Sequence, residues 1–211
     1  MSRRSDKAEA KWPFRLAATL VVLSALAVAV FAAWQFWGID RLAMQQASSD
    51  VNSYFATCSD PSTALPGETI AVIKLPGSDS YWPIRVGFGD ASLATGLGWY
   101  DHTAAPGQLG NMVVVGYRLV SGGAFDKILS WQTDQTIIVE TCQTSYTYTI
   151  AVAPAELTLQ ADESWVFDAV PGKPGLVPSE SWLTLIANHN LTADSPERAV
   201  GFARLTASAP R

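Results

Sequence analysis

From Leu16 to Trp37 the chain reads LAATLVVLSALAVAVFAAWQFW, a run with no charged side chain in which only Ser24 and Gln35 are clearly polar. A helix rises ~1.5 Å per residue, so this run reaches across a hydrocarbon core of ~30 Å. An uninterrupted apolar stretch of this length behind a basic N-terminus argues against a buried core helix. Small residues near Ala32 and Ala33 make a cleaved signal peptide the fairer rival. The run exceeds the ~7–15 apolar residues of such a peptide, however, and Trp34, Phe36 and Trp37 read as interfacial aromatics. The expectation is an uncleaved membrane anchor over residues 16–37. Arg3, Arg4, Lys7, Lys11 and Arg15 precede it, whereas only Asp40 and Arg41 come closely after it. Positive-inside bias then makes residues 1–15 a cytoplasmic tail and the chain a single-pass, type II cell-membrane protein with an extracellular C-terminal domain.

Beyond the anchor, the rest of this 211-residue chain suits a single β-domain with its own core. Hydrophobic residues make up 48%, with 12 prolines and 15 glycines dispersed, which indicates ordered structure and not a disordered tail. The net charge is −5 although five cations sit in the first fifteen residues, so the outward part is distinctly acidic. Nucleic-acid binding needs a basic face and is excluded on that ground. Cys58 and Cys142 both lie beyond the anchor, where a disulfide can persist; the sequence leaves open whether they pair or stay as two free thiols.

Residues 38–67 read as a juxtamembrane helix and linker. Ile39, Leu42, Ala43, Ala47, Val51, Tyr54 and Phe55 recur at helical steps, and PSTALPG (61–67) ends the pattern. From residue 68 to 211 the texture is short β-rich runs punctuated by Gly, Pro, Asp and Ser. The runs are TIAVIK (69–74), WPIRV (82–86), NMVVVGY (111–117), TIIVET (136–141), YTYTIAV (146–152), WVFD (165–168), WLTLIAN (182–188) and AVGFARL (199–205). Strands at this spacing without intervening amphipathic helices predict an all-β barrel or sandwich. YTYTIAV alternates as a half-buried strand does, and the continuously apolar NMVVVG predicts a central one.

Four blocks taken in order resemble the sortase family, and most closely its class E members from actinobacteria. They are GWYDHTAAPGQLGNMVVVGYR (98–118), GGAFDKI (122–128), WVFDAVPGKPG (165–175), and WLTLIANHN (182–190) with ERAVGFARL (197–205). The resemblance spans roughly Leu75 to Leu205 and implies a sortase-like eight-stranded β-barrel behind the transmembrane helix. It also implies chemistry: a cysteine nucleophile cuts a sorting-signal peptide, a histidine moves the proton, and an arginine steadies the oxyanion.

At the cysteine position stands Asn188, whose carboxamide has no thiolate-like form. At the histidine position stands Tyr117, a phenol titrating near ~10. The arginine position is kept as Arg198, either an anchor for a peptide carbonyl or carboxylate or a structural ion pair with Glu197 or Asp194. Asn188 and Tyr117 can hydrogen-bond each other, and Tyr100 falls where class E sortases carry a tyrosine associated with the sorting signal. Tyr81, Trp82 and Trp99 are either further groove aromatics or barrel core.

The expectation is a catalytically inactive sortase-like domain that serves as a peptide-binding or scaffolding partner in cell-wall and surface-protein anchoring. Its partner is a sorting-signal peptide, a cell-surface protein or an active sortase. The alternative is an active cysteine transpeptidase or hydrolase whose nucleophile has moved to Cys142, paired with His102, with Thr184 and Ser181 as the other candidates; His189 follows Asn188 directly and on a strand takes the opposite face. Asn190-Leu191-Thr192 matches a glycosylation pattern of low specificity. No metal-ligand spacing or phosphate-cradling loop occurs, so no cofactor is implied.

Overall fold

The computed structural model describes residues 11–33, 39–93, 95–118, 123–190 and 196–211. Arg3, Arg4, Lys7, Trp34, Phe36, Trp37, Leu191, Thr192 and Asp194 lie outside them. The chain divides into two units, Met1–Ile39 and Asp40–Arg211.

In the first unit the apolar run forms helix α1, Lys11–Ala33. Its Arg15–Ala32 stretch is long and apolar enough to cross a membrane, and none of it is buried against protein.

Helix α2, Ile39–Thr57, belongs from Asp40 onward to the second unit. Ala43, Ala47 and Tyr54 are buried, the inward stripe expected from steps of three and four, while Leu42 faces out. Among the described residues nine strands come after it: β1 Thr69–Lys74, β2 Tyr81–Val86, β3 Leu97–Trp99, β4 Gly110–Gly116, β5 Thr136–Glu140, β6 Thr144–Val152, β7 Thr158–Gln160, β8 Ser181–Asn188 and β9 Glu197–Pro210. A short helix, α3, covers Asp90–Leu93.

The sheet order is β6-β5-β1-β2-β3-β4-β8-β9, and β6 pairs with β9 to close an eight-stranded barrel. β2–β3 and β4–β8 run parallel; the other pairs are antiparallel. Closure removes the exposed strand edges of an open sheet. The length of β9 lets it serve three partners: Glu197–Ala199 hold β7, and from Phe202 onward the same side passes to β6.

One expected strand is corrected. Trp165–Asp168 lies at a 3-10 helix, Ser164–Phe167, because the Asp168 and Gly172 N–H groups both turn back to the Trp165 carbonyl. Residues 97–99 supply the eighth barrel strand instead.

Successive side chains alternate across the barrel wall. Met112, Val114, Leu183, Leu185, Ala187 and Ala203 point into the main core. Val113, Ile186, Val200 and Phe202 take the other face and join Leu159 and Val166 in a second cluster, roofed by residues 157–167. Counting on by twos, the second face leads to Tyr117 on the chain leaving β4, to Asn188 at the end of β8 and to Arg198 at the start of β9.

Candidate functional site

Strand register brings those three positions together. β4 and β8 run parallel with Gly116 opposite Ala187, so the next residues, Tyr117 and Asn188, leave adjacent strands side by side. Asn188 is in turn the direct cross-strand partner of Arg198. All three line one cleft of about 300 Å³, whose floor includes Val115, Ile186 and Val200 and whose rim includes Phe88 and Phe167. Three residues separated by 71 and 10 positions in sequence thus share one mouth, on the outer face of the barrel beside the second cluster.

Each is held. The Tyr117 hydroxyl donates to Asp90 Oδ1 at 3.0 Å, so its proton is directed to α3. Burial, then that hydrogen bond and the carboxylate charge, all raise the phenol above its ordinary pKa of 10.0, which keeps it protonated at neutral pH. Arg198 Nη1 donates to the Glu197 carbonyl at 3.2 Å, a contact to backbone. The Glu197 carboxylate meanwhile accepts from Asn190 Nδ2 at 3.3 Å. Arg118 Nη1 donates to the His189 carbonyl, tying the chain after β4 to the chain after β8.

Tyr100 stands behind the rim and is absent from the lining. Its ring meets Phe88, Phe167 and His102 edge-on, with centroids 5.3, 5.2 and 5.4 Å away. Such tilted contacts suit the ring quadrupoles and set the positions of the two exposed phenylalanines. Trp82 and Trp99 belong to the barrel core, and the Tyr81 hydroxyl donates to Glu140 at 3.1 Å, so none of these three lines the cleft.

Two supports, Asn111 and Asp90, were not among the expected site residues. Asn111 is 1% exposed; its Nδ2 donates to the Val166 and Asp168 carbonyls at 2.7 and 3.1 Å, and its Oδ1 accepts from Thr184 at 2.6 Å. That carboxamide pins the segment carrying Phe167 against β4. An asparagine opening an otherwise apolar central strand was the available signal. The second support, Asp90, has no local signature.

The relocated-nucleophile alternative is corrected. Cys142 Sγ is bonded to Cys58 Sγ, and neither cysteine lines the cleft. The sequence holds no other thiol. Thr184 is fully buried on Asn111, and Ser181 Oγ donates to the Gly107 carbonyl at 3.1 Å, so neither hydroxyl faces a substrate path. His189 Nδ1 lies 3.1 Å from Thr158 Oγ1, and His102 packs edge-on against the Tyr100 ring; neither histidine lines the cleft. Among the described residues no group of three metal-ligating side chains assembles.

The family model described as "Sortase domain" matches residues 73–206. Sortase E from Streptomyces avermitilis is 28% identical, with a TM-score of 0.61 over 69% of this chain and 93% of that one. The SrtA sortase from Actinomyces oris is 25% identical, with a TM-score of 0.64 over 71% and 86% of the two chains. Sortase E1 from Streptomyces coelicolor, described with a tripeptide in its active site, is 23% identical, with a TM-score of 0.59 over 71% and 94%. No curated protein matches the chain.

Proposed function

The chain belongs to the sortase family, and from that premise we propose that it is a catalytically silent member whose cleft binds a peptide without cutting it. The observation that carries this reading is what stands at the three reactive positions of the cleft: a phenol, a carboxamide and a guanidinium, with Gln160 and the Glu163 carboxylate, which accepts from the Gln160 N–H, beside them and both sulfurs of the chain's cysteines bonded to each other elsewhere. Acyl transfer by the family's route forms a thioester at a thiolate and passes the proton through a group that titrates near pH 7. Asn188 offers no sulfur, and the Tyr117 phenol holds its proton, directed to Asp90.

Binding asks for less, and these groups meet it. Arg198 can fork two hydrogen bonds to a carbonyl or carboxylate, and the Asn188 amide both donates and accepts. Phe88 and Phe167, 49% and 36% exposed, offer apolar faces to a side chain of the peptide. The tripeptide in the Streptomyces coelicolor structure supports a peptide as the class of ligand on this fold.

In this reading α1 is the membrane anchor, residues 1–15 stay in the cytoplasm, residues 38–67 form the membrane-proximal helix and linker, and residues 68–211 stand outside. There the barrel serves surface-protein anchoring as a scaffold or partner of an active sortase.

The test titrates Leu-Pro-x-Thr-Gly and Leu-Ala-x-Thr-Gly peptides against the protein and follows binding and cleavage separately. Saturable binding with intact peptide is the expected result. Cleavage that disappears in Asn188→Ala would overturn the proposal. Tyr117→His with Asn188→Cys asks the converse question, and thiol-dependent cleavage by that double variant is expected if Arg198 and the floor remain competent.

A further inference from the structure

A second cavity of about 620 Å³ shares no lining residue with the cleft. Three chain segments build it: the end of α2 with residues 58–64, the loop from Asp101 to Gln108, and the β5–β6 turn with Cys142 and Gln143. We propose that this cavity is a binding site for a neutral, hydroxyl-rich ligand of the size of a short oligosaccharide.

The lining selects that class by exclusion and by match. Asp60 and Asp101 line the cavity and no lysine or arginine does; the neighbouring Arg211 is paired with Glu140 and lies over the Phe55 ring, so an anion would meet two carboxylates before any counter-charge. An acyl chain would strip water from amides, hydroxyls and carboxylates and return no hydrogen bond. A bare metal ion lacks a cage: one Asp60 oxygen already accepts from the Ser62 N–H and Oγ, at 2.8 and 2.7 Å, and no three-ligand group forms among the described residues. A polyol fits because it both donates and accepts. The Asp101 carboxylate, the Gln143 carboxamide and the Tyr146 hydroxyl make no hydrogen bond to another described residue, which leaves them to a ligand.

The walls are also fixed before any ligand arrives. The Cys58–Cys142 disulfide clamps the segment after α2 to the β5–β6 turn, with Cα atoms 5.7 Å apart. On the opposite side the Gly107 N–H donates to the Tyr148 hydroxyl at 3.0 Å, and Gly107 lies so close to the Tyr146 ring that a Cβ would sit 2.1 Å from it. A cavity of this volume falls within the ~300–1,000 Å³ of small-molecule sites, and preformed walls spare a ligand the cost of ordering them.

The test places the full chain in lipid nanodiscs, which avoid sugar detergents, and titrates maltotetraose, cellotetraose and chitotetraose by calorimetry, with spermidine as the cationic control. Saturable binding of at least one saccharide is expected, weakened about tenfold by Asp101→Ala and by Gln143→Ala, both exposed positions. Asn188→Ala in the cleft should leave it unchanged, which separates this site from the peptide site. Three results would overturn the proposal: no saccharide binding at millimolar concentration, saccharide binding indifferent to both cavity variants, or binding of spermidine alone.

Discussion

Among the described residues lining the cleft, Arg198 is the single permanent cation, and it faces Asn188 directly across the β8–β9 pair. A fork of hydrogen bonds from a charged donor is worth about 1.5–3 kcal/mol. Arg198→Ala is therefore expected to weaken sorting-peptide binding by about tenfold or more, and Arg198→Lys, which keeps the charge but loses the fork, by less. Calorimetric titration of both variants distinguishes an anchoring arginine from a spectator, which would leave the affinity unmoved. A second residue couples pH to the whole barrel. Tyr148 is fully buried, and burial pushes its phenol up to about 12. The unfolded chain releases that proton near pH ~10, so the stability it contributes is complete below that value and declines as pH rises from ~10 to ~12. About two pH units correspond to about 3 kcal/mol. Urea unfolding should be flat from pH 7 to 9 and fall steeply above 10, and Tyr148→Phe should blunt the fall; an unchanged slope in that variant would refute the assignment.

Helix α2 is fastened to the barrel twice, within its C-terminal half at Asp50 and just past its end at Cys58. Asp50 accepts from Arg85 Nη2, while the same guanidinium donates through Nη1 to the Ser92 carbonyl and, at 2.6 Å, to Thr95 Oγ1. Arg85 is 7% exposed, so removing its partner leaves a charge short of solvation. The Ser92–Thr95 side of that knot belongs to the stretch bearing Phe88, Asp90 and Leu93, one wall of the cleft. Asp50→Asn should cost about 1–3 kcal/mol in urea unfolding and speed amide exchange over residues 87–93. The other fastening is Cys58–Cys142, closing a sequence separation of 84. Replacing both cysteines by serine, or reducing the bond, should lower stability by about 2–4 kcal/mol, read as a fall in Tm. At this scale the sequence was informative where periodicity runs long enough. The α2 stripe and most barrel strands show it, with ends displaced by a residue or two except in β9, which runs five residues beyond the expected Leu205 to Pro210. β3 and β7, at three residues each, are too short for a period of two to register. Trp165-Val166-Phe167 has the apolar, aromatic texture of a strand, but its backbone closes a turn that depends on Gly172 and on the distant Asn111. Tyr117, Asn188 and Arg198 were visible through the family resemblance alone. Their shared face comes from alternation, whereas the Tyr117–Asp90 bond spans 27 positions and leaves no mark in either local sequence.

At the scale of the whole molecule, two units with opposite solvent preferences share one chain. The barrel buries its apolar side chains, with Ile70, Ile73, Ile84, Leu97 and Phe125 all inaccessible to solvent. In α1, by contrast, Leu20, Val21, Val28, Val30 and Phe31 are each more than 60% exposed. Each such side chain left in water forgoes about 1.5–3 kcal/mol that a hydrocarbon environment would return. A chain beginning at Asp40 is therefore expected to stay in the aqueous phase, with the same Tm and urea midpoint as the intact chain in a bilayer. The intact chain should instead partition into membranes and resist extraction by alkaline carbonate. Introducing Asp at Val21 and Val28 should weaken membrane retention steeply while leaving the unfolding of the barrel unchanged, because a charge at the centre of a spanning helix costs about 2.5–3.5 kcal/mol. If the chain from Asp40 aggregated or lost its cooperative transition, α1 would have to be counted as part of the folded core, and the assignment of this helix to the lipid phase would fail.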